Sequence, residues 1–127
     1  MRAAIITTIF TLATAVIAAP VPAEKRGSWH PRSAKITWYS GNSLSNPYCG
    51  GPTPTDQDMV AATGWDSPYG CGDTITFDYY GHKATVTVVD KCEGCHSGAW
   101  FDISKAAFSK LADLEVGELI NVDFYKY

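Results

Sequence analysis

The chain has no run of Lys or Arg, no internal repeat, no low-complexity block and no Asn-x-Ser/Thr acceptor. Each absence excludes something. Without clustered basic residues there is no electrostatic footprint for nucleic acid or for an anionic membrane surface. Without a repeat there is no solenoid or propeller. Without the acceptor triplet, N-glycosylation is not expected. Apart from Met1, the only methionine is Met59, so a His/Met-ligated haem is disfavoured. No sequence feature calls for a cofactor or a metal.

One long apolar run is present, at the very start. Met1 and Arg2 are followed by an uncharged stretch from Ala3 to Ala19 that ends in small residues. A charged front, an apolar middle and a small-residue end form the three-part pattern of a secretory signal peptide. The run just reaches spanning length, but the Pro-rich stretch behind it favours cleavage near Ala18 or Ala19. Residues 20–26, Pro-Val-Pro-Ala-Glu-Lys-Arg, read as a linker or propeptide ending in the dibasic pair Lys25-Arg26. The expected working protein is residues 27–127, one secreted, monomeric domain. It holds seven Lys plus Arg against twelve Asp plus Glu, a net charge of −5. An acidic domain leaves a neutral partner such as a polysaccharide open.

All four cysteines, Cys49, Cys71, Cys92 and Cys95, lie in that domain. An even count in a short secreted chain reads as two disulfides, and four cysteines allow three pairings. Cys92-Glu-Gly-Cys95-His96 matches a haem-attachment pattern and half a zinc site. Cys49 and Cys71, however, are not paired at ligand spacing, and a thioredoxin-type thiol would need a βαβ setting that is absent. A tight Cys92–Cys95 loop is the simplest reading, and it leaves Cys49–Cys71. Closing that loop contributes about 3 kcal/mol.

Turn residues and alternation predict the elements. A strand is expected over 34–40, a loop over 41–54, and a short helix over 56–62 capped by Thr55. A loop over 64–72 follows, then strands over 74–80 and 83–90 joined at Gly81-His82. A helix is expected over 102–113 with Ser104 as N-cap. A last strand over 119–125 would turn Ile120, Val122 and Phe124 inward. Many short strands, few helices and Gly-rich connections predict an all-β fold closed on itself.

Four features stand in chain order: Thr37-Trp38-Tyr39 on the first strand, Cys49-Gly50 in a loop, Val88-Val-Asp90-Lys-Cys92 at a strand end, and Phe101-Asp102-Ile-Ser104 before a helix. In this order and spacing the chain resembles the expansin-like proteins, and most of all the single-domain loosenins. The likeness runs from about Ile36 to Phe124. It implies a six-stranded double-psi β-barrel with small helices and a shallow groove for cell-wall polysaccharide such as cellulose, chitin or a related glucan. By motif match it assigns Asp102 as the essential aspartate and Asp90 as the aspartate of the second motif. It places Thr37 and Tyr39 beside Asp102. Trp100 stands where many relatives have His. On the residues alone, a helix cap is the favoured reading of Asp102, and a strand-end turn is an even one for Asp90. Trp38, Trp65, Tyr69 and Trp100 are candidate platforms for the apolar faces of sugar rings, Trp65 and Tyr69 being expected to be the more exposed.

The same barrel also carries inverting endoglucanases, lytic transglycosylases and inhibitors of papain-like proteases. Inversion needs an acid and a base. The base expected two residues after the Thr-x-Tyr tyrosine falls on Gly41, which has no side chain. The resemblance therefore leans towards non-hydrolytic loosening of wall polysaccharide.

Overall fold

In a computed structural model of the chain, residues 27–96 and 98–127 are described. The expected signal peptide and propeptide, residues 1–26, lie outside them. Six strands close into a barrel: β1 (Ser28–Tyr39), β2 (Val60–Thr63), β3 (Thr74–Tyr79), β4 (His82–Lys91), β5 (Trp100–Ser104) and β6 (Glu118–Lys126). Their order around the barrel is β1-β5-β2-β4-β3-β6. One helix, α1 (Lys105–Leu111), follows β5. The fold is the all-β, six-stranded barrel that the sequence predicts. Two pairs, β1 with β5 and β2 with β4, run parallel, and the rest are antiparallel. Among the described residues every strand is paired on both sides, so no strand edge is left open to template aggregation.

Strand alternation sets the core. Ile36, Ile75, Phe77, Val86, Val88, Phe101, Ile103, Val122 and Phe124 all point inward and are buried. Phe77, Phe101 and Phe124 meet edge-to-face or tilted, with centroids 5.1 Å, 6.5 Å and 5.2 Å apart. α1 closes one end with Ala107, Phe108 and Leu111.

Four local expectations change. The helix over 56–62 does not form. Thr55 does start a capped turn, since its amide donates to Asp58 Oδ2 at 2.8 Å and its Oγ1 accepts from the Gln57 amide at 3.2 Å. The chain then leaves the turn to supply β2, whose four small residues are all buried between β4 and β5. Closing the barrel outweighs a weak helical propensity. β1 begins six residues early, at Ser28, because its first half pairs with β6. Residues 102–104 are strand rather than helix; Ser104 caps α1 as expected, its Oγ accepting from the Ala107 amide at 3.3 Å. In β6 Ile120 is exposed and Leu119 is buried. Asn121 adopts a left-handed φ of 58°, and the pairing with β1 shifts register between Ala34 and Ile36. A bulge there resets the alternation. The β3–β4 hairpin turns on Tyr80 and Gly81, both with positive φ, which suits the right-handed twist of its strands.

Candidate functional site

Strand register gathers residues that are far apart in sequence. Thr37 on β1 is opposite Asp102 on β5, Asp102 is opposite Ala62 on β2, and Ala62 is opposite Asp90 on β4. Four neighbouring strands thus carry one row: Thr37, Asp102, Ala62, Asp90. Parallel strands lie about 4.8 Å apart, so the two aspartates are separated by about 10 Å of backbone. Thr37 and Tyr39 share the outer face of β1, while Ile36 is buried within the barrel.

Trp100 and Thr37 orient Asp102. The indole Nε1 of Trp100 donates to Thr37 Oγ1 at 3.0 Å, and Thr37 Oγ1 donates to Asp102 Oδ1 at 2.9 Å. Burial holds the Asp102 carboxyl above the usual carboxylate range, against the Thr37 bond, which lowers it. The acid therefore keeps its proton more readily than an exposed aspartate. One carboxylate oxygen also lies within 4.8 Å of both Cys92 and Cys95 sulfurs. Asp102 is a strand residue and caps nothing.

Beside it stands Tyr39, whose hydroxyl is buried and has no hydrogen-bond partner among the described residues. Burial first, then the charges of Asp90 and Asp102, push its phenol well above the ordinary tyrosine range. It is a neutral donor at any physiological pH. Asp90 has a different task. Its Oδ1 accepts from the backbone amides of Tyr48 and Lys91, both at 2.8 Å, tying the 41–54 loop to the end of β4. The Cys49 amide adds a bond to the Val89 carbonyl at 3.0 Å.

Both disulfides form as the simplest reading has them, Cys49–Cys71 and Cys92–Cys95. Gly64 makes the approach of the second one possible. A Cβ built there would lie 1.9 Å from the Cys95 carbonyl oxygen. Trp65, the next residue, is 58 % exposed and meets Tyr48 edge-to-face at 4.8 Å. Lys91 Nζ lies 5.6 Å from the Trp65 ring. At the other end Lys35 Nζ lies 3.8 Å over Trp100. The row is therefore flanked by an aromatic and a lysine on each side.

The remaining two aromatic candidates lie elsewhere. Trp38 takes the inner side of β1, packs against the core, and its Nε1 donates to the Leu114 carbonyl at 3.0 Å. Tyr69, expected to be exposed, is drawn against Phe101 and Phe124, with centroids 5.4 Å and 5.5 Å away. Tyr48 is the residue that sequence reasoning missed. An aromatic between Pro47 and a disulfide cysteine is a signal of a held, exposed ring. At Gly41, the amide donates to Asp56 Oδ1 at 3.0 Å.

No family model matches the chain. It is 32% identical over 116 residues to a protein of Streptomyces mobaraensis named papain inhibitor, covering 84% of this chain and 76% of that one. A solved Streptomyces papain inhibitor superposes with a TM-score of 0.64 at 25% identity, over 78% of this chain and 94% of that chain. A mutant of Clavibacter michiganensis expansin, solved in complex with cellohexaose, superposes with a TM-score of 0.61 at 26% identity over 77% of this chain. The chain belongs to the family of the Streptomyces papain inhibitor, whose double-psi β-barrel the expansin shares. Within that family its reach differs between relatives. It is 34% identical over 99 residues to allergen Asp f 7 of Aspergillus fumigatus, yet spans only 36% of that protein. It likewise spans 50% of the expansin. The family barrel thus accounts for nearly all of the described residues here and for a part of those longer proteins.

Proposed function

We propose that this protein is secreted and binds cell-wall polysaccharide across the Thr37–Asp102–Ala62–Asp90 row, loosening it without cutting it. The row is the observation that carries the reading. It brings Thr37, Asp102 and Asp90, all partly buried, onto neighbouring strands, with the exposed rings of Trp65 and Tyr48 at the Asp90 end. Trp65 and Tyr48 offer rings to sugar faces. Asp102, partly buried and held by Thr37, offers its carboxyl to glycan hydroxyls in a partly desolvated site. The expansin relative bound to cellohexaose supports a glucan as ligand. Two disulfides fit the oxidising compartment that a wall protein meets.

Hydrolysis with inversion would need a base placed to activate water opposite the acid. Gly41 supplies no carboxylate. Asp90 is engaged by two backbone amides, and Asp56 is bonded at the Gly41 amide. Asp102 then serves as a hydrogen-bonding carboxyl that competes with glycan–glycan bonds.

A second reading has its own support. The papain inhibitor of Streptomyces mobaraensis is covered over most of its length, so this barrel could act as a rigid surface against a cysteine protease. One experiment separates the two. The purified protein is incubated with insoluble cellulose or chitin, with bound protein and soluble reducing sugar measured together, and in parallel with papain. Binding without sugar release, lost in Asp102→Asn, is the expected result. Inhibition of papain that survives Asp102→Asn, with no binding to either polymer, would replace the loosening reading with the inhibitor. Sugar release would make the protein a glycosidase.

A further inference from the structure

The opposite wall of the barrel carries a second row built by the same kind of register. Trp29 on β1 is opposite Tyr125 on β6, Tyr125 is opposite Thr76 on β3, and Thr76 is opposite Thr85 on β4. The Asp102 row runs from β1 to β4 through β5 and β2. This one runs from β1 to β4 the other way, through β6 and β3. The two faces therefore look away from each other.

The second face is a groove of about 390 Å³ lined by Trp29, Thr76, Asp78, Lys83, Tyr125 and Tyr127. Trp29 and Tyr127 are 52 % and 51 % exposed, far more than inward-facing strand residues, so the core does not claim them. Tyr125 and Tyr127 meet edge-to-face at 5.0 Å. The polar groups are arranged as a ladder. Thr85 and Thr76 hydroxyls bond at 2.8 Å, and Thr76 Oγ1 donates to the Tyr127 hydroxyl at 3.4 Å. That leaves the Tyr127 proton to point outward. The two charges in the groove, Lys83 and Asp78, face each other at 3.9 Å and cancel locally. A groove with three rings, a hydroxyl ladder and no net charge selects a neutral, hydroxyl-rich ligand with apolar faces. A charged peptide or phosphate chain would find no unpaired partner in it.

We infer that this groove is a second polysaccharide-binding face, so that one barrel holds two neutral glycan chains on opposite walls. The ligand class follows from the rings and hydroxyls of this groove, independently of the Asp102 row. A small rigid body bound to two chains at once gains effective concentration for the second contact and keeps the chains apart by its own width.

The test is a calorimetric titration of the full-chain protein with cellohexaose, repeated with the chitin hexamer. Two sites are expected for the wild type. Trp29→Ala with Tyr127→Ala should weaken one of them about tenfold or more, as loss of two ring contacts implies. Trp29→Phe with Tyr127→Phe should restore it, and thermal melting should show both variants folded. Trp65→Ala should affect the other site alone. A single wild-type site that responds only to Trp65→Ala overturns the second face and leaves the loosening proposal standing. A single site that responds only to the Trp29/Tyr127 pair upholds the second face and removes the Asp102 row as a glycan site. No binding of either hexamer, or rings that fail to rescue a folded variant, overturns the inference.

Discussion

Tyr39 carries an unmet polar cost. Its buried hydroxyl has no partner among the described residues, and an unsatisfied buried hydroxyl costs about 1–3 kcal/mol. Tyr39→Phe is therefore expected to leave stability unchanged or raise it by up to about 1 kcal/mol in denaturant titration. A stability loss would mean that the hydroxyl is bonded in solution. Asp102 behaves similarly through pH. Burial raises its folded-state carboxyl above the unfolded value, so the native state holds the proton more tightly. This group's contribution is most favourable below the unfolded value. It is lost as pH climbs through the folded one. Asp102→Asn stays neutral throughout and can still accept from Thr37. It should melt higher than wild type at neutral pH, with the gap closing as the pH drops below the ordinary aspartate range. A gap that stays constant with pH would remove burial as the cause.

At the scale of elements, loops rather than strands set the flanks of the site. Cys49–Cys71 closes the segment that contains the 55–58 turn and Trp65, and the Asp90 carboxylate pins Tyr48, just before that segment, to β4. Gly64 lets the β2 exit pass against the Cys92–Cys95 turn. Gly64→Ala would force a Cβ into the Cys95 carbonyl, which is backbone and cannot swing aside. A loss of about 1–3 kcal/mol is expected, read as a lower denaturant midpoint. Trp65 fluorescence should change with it, because the shift is transmitted to the next residue. An unchanged midpoint would show that the loop relaxes freely. The same scale explains the helix that fails to appear at 56–62. Thr55 and Asp58 start a helical turn, but four small buried residues are needed as the inner wall between β4 and β5.

For the whole molecule, closure is what makes two separate faces. A barrel has an inside filled by phenylalanines and aliphatics and an outside that looks in all directions. The row through β5 and β2 and the row through β6 and β3 share no residue. Effects on distant, independent sites add. Combining Trp65→Ala with Trp29→Ala and Tyr127→Ala should therefore give affinity losses at the two sites equal to those of the separate variants, within about 0.5 kcal/mol. Strong coupling between them would point to one shared ligand wrapped around the barrel.

The sequence by itself determined the outline of this protein. Alternating strands, Gly-rich connections and four cysteines are local signals, and they were enough for an all-β barrel, both disulfides and the Ser104 cap; the Thr37, Asp90 and Asp102 motifs rested on the resemblance to expansin-like proteins. The tertiary structure decided what local signals cannot carry. Thr37 and Asp102 are 65 residues apart and meet only because β1 and β5 run parallel and in register. Trp38 reads as a platform or a core filler, and Tyr69 as an exposed platform, until packing draws both inward. Ile120 reads as core until the Asn121 bulge turns it out. In each case the deciding quantity is strand order and register, which depends on how distant segments bury their apolar faces together, and no window of neighbouring residues contains it.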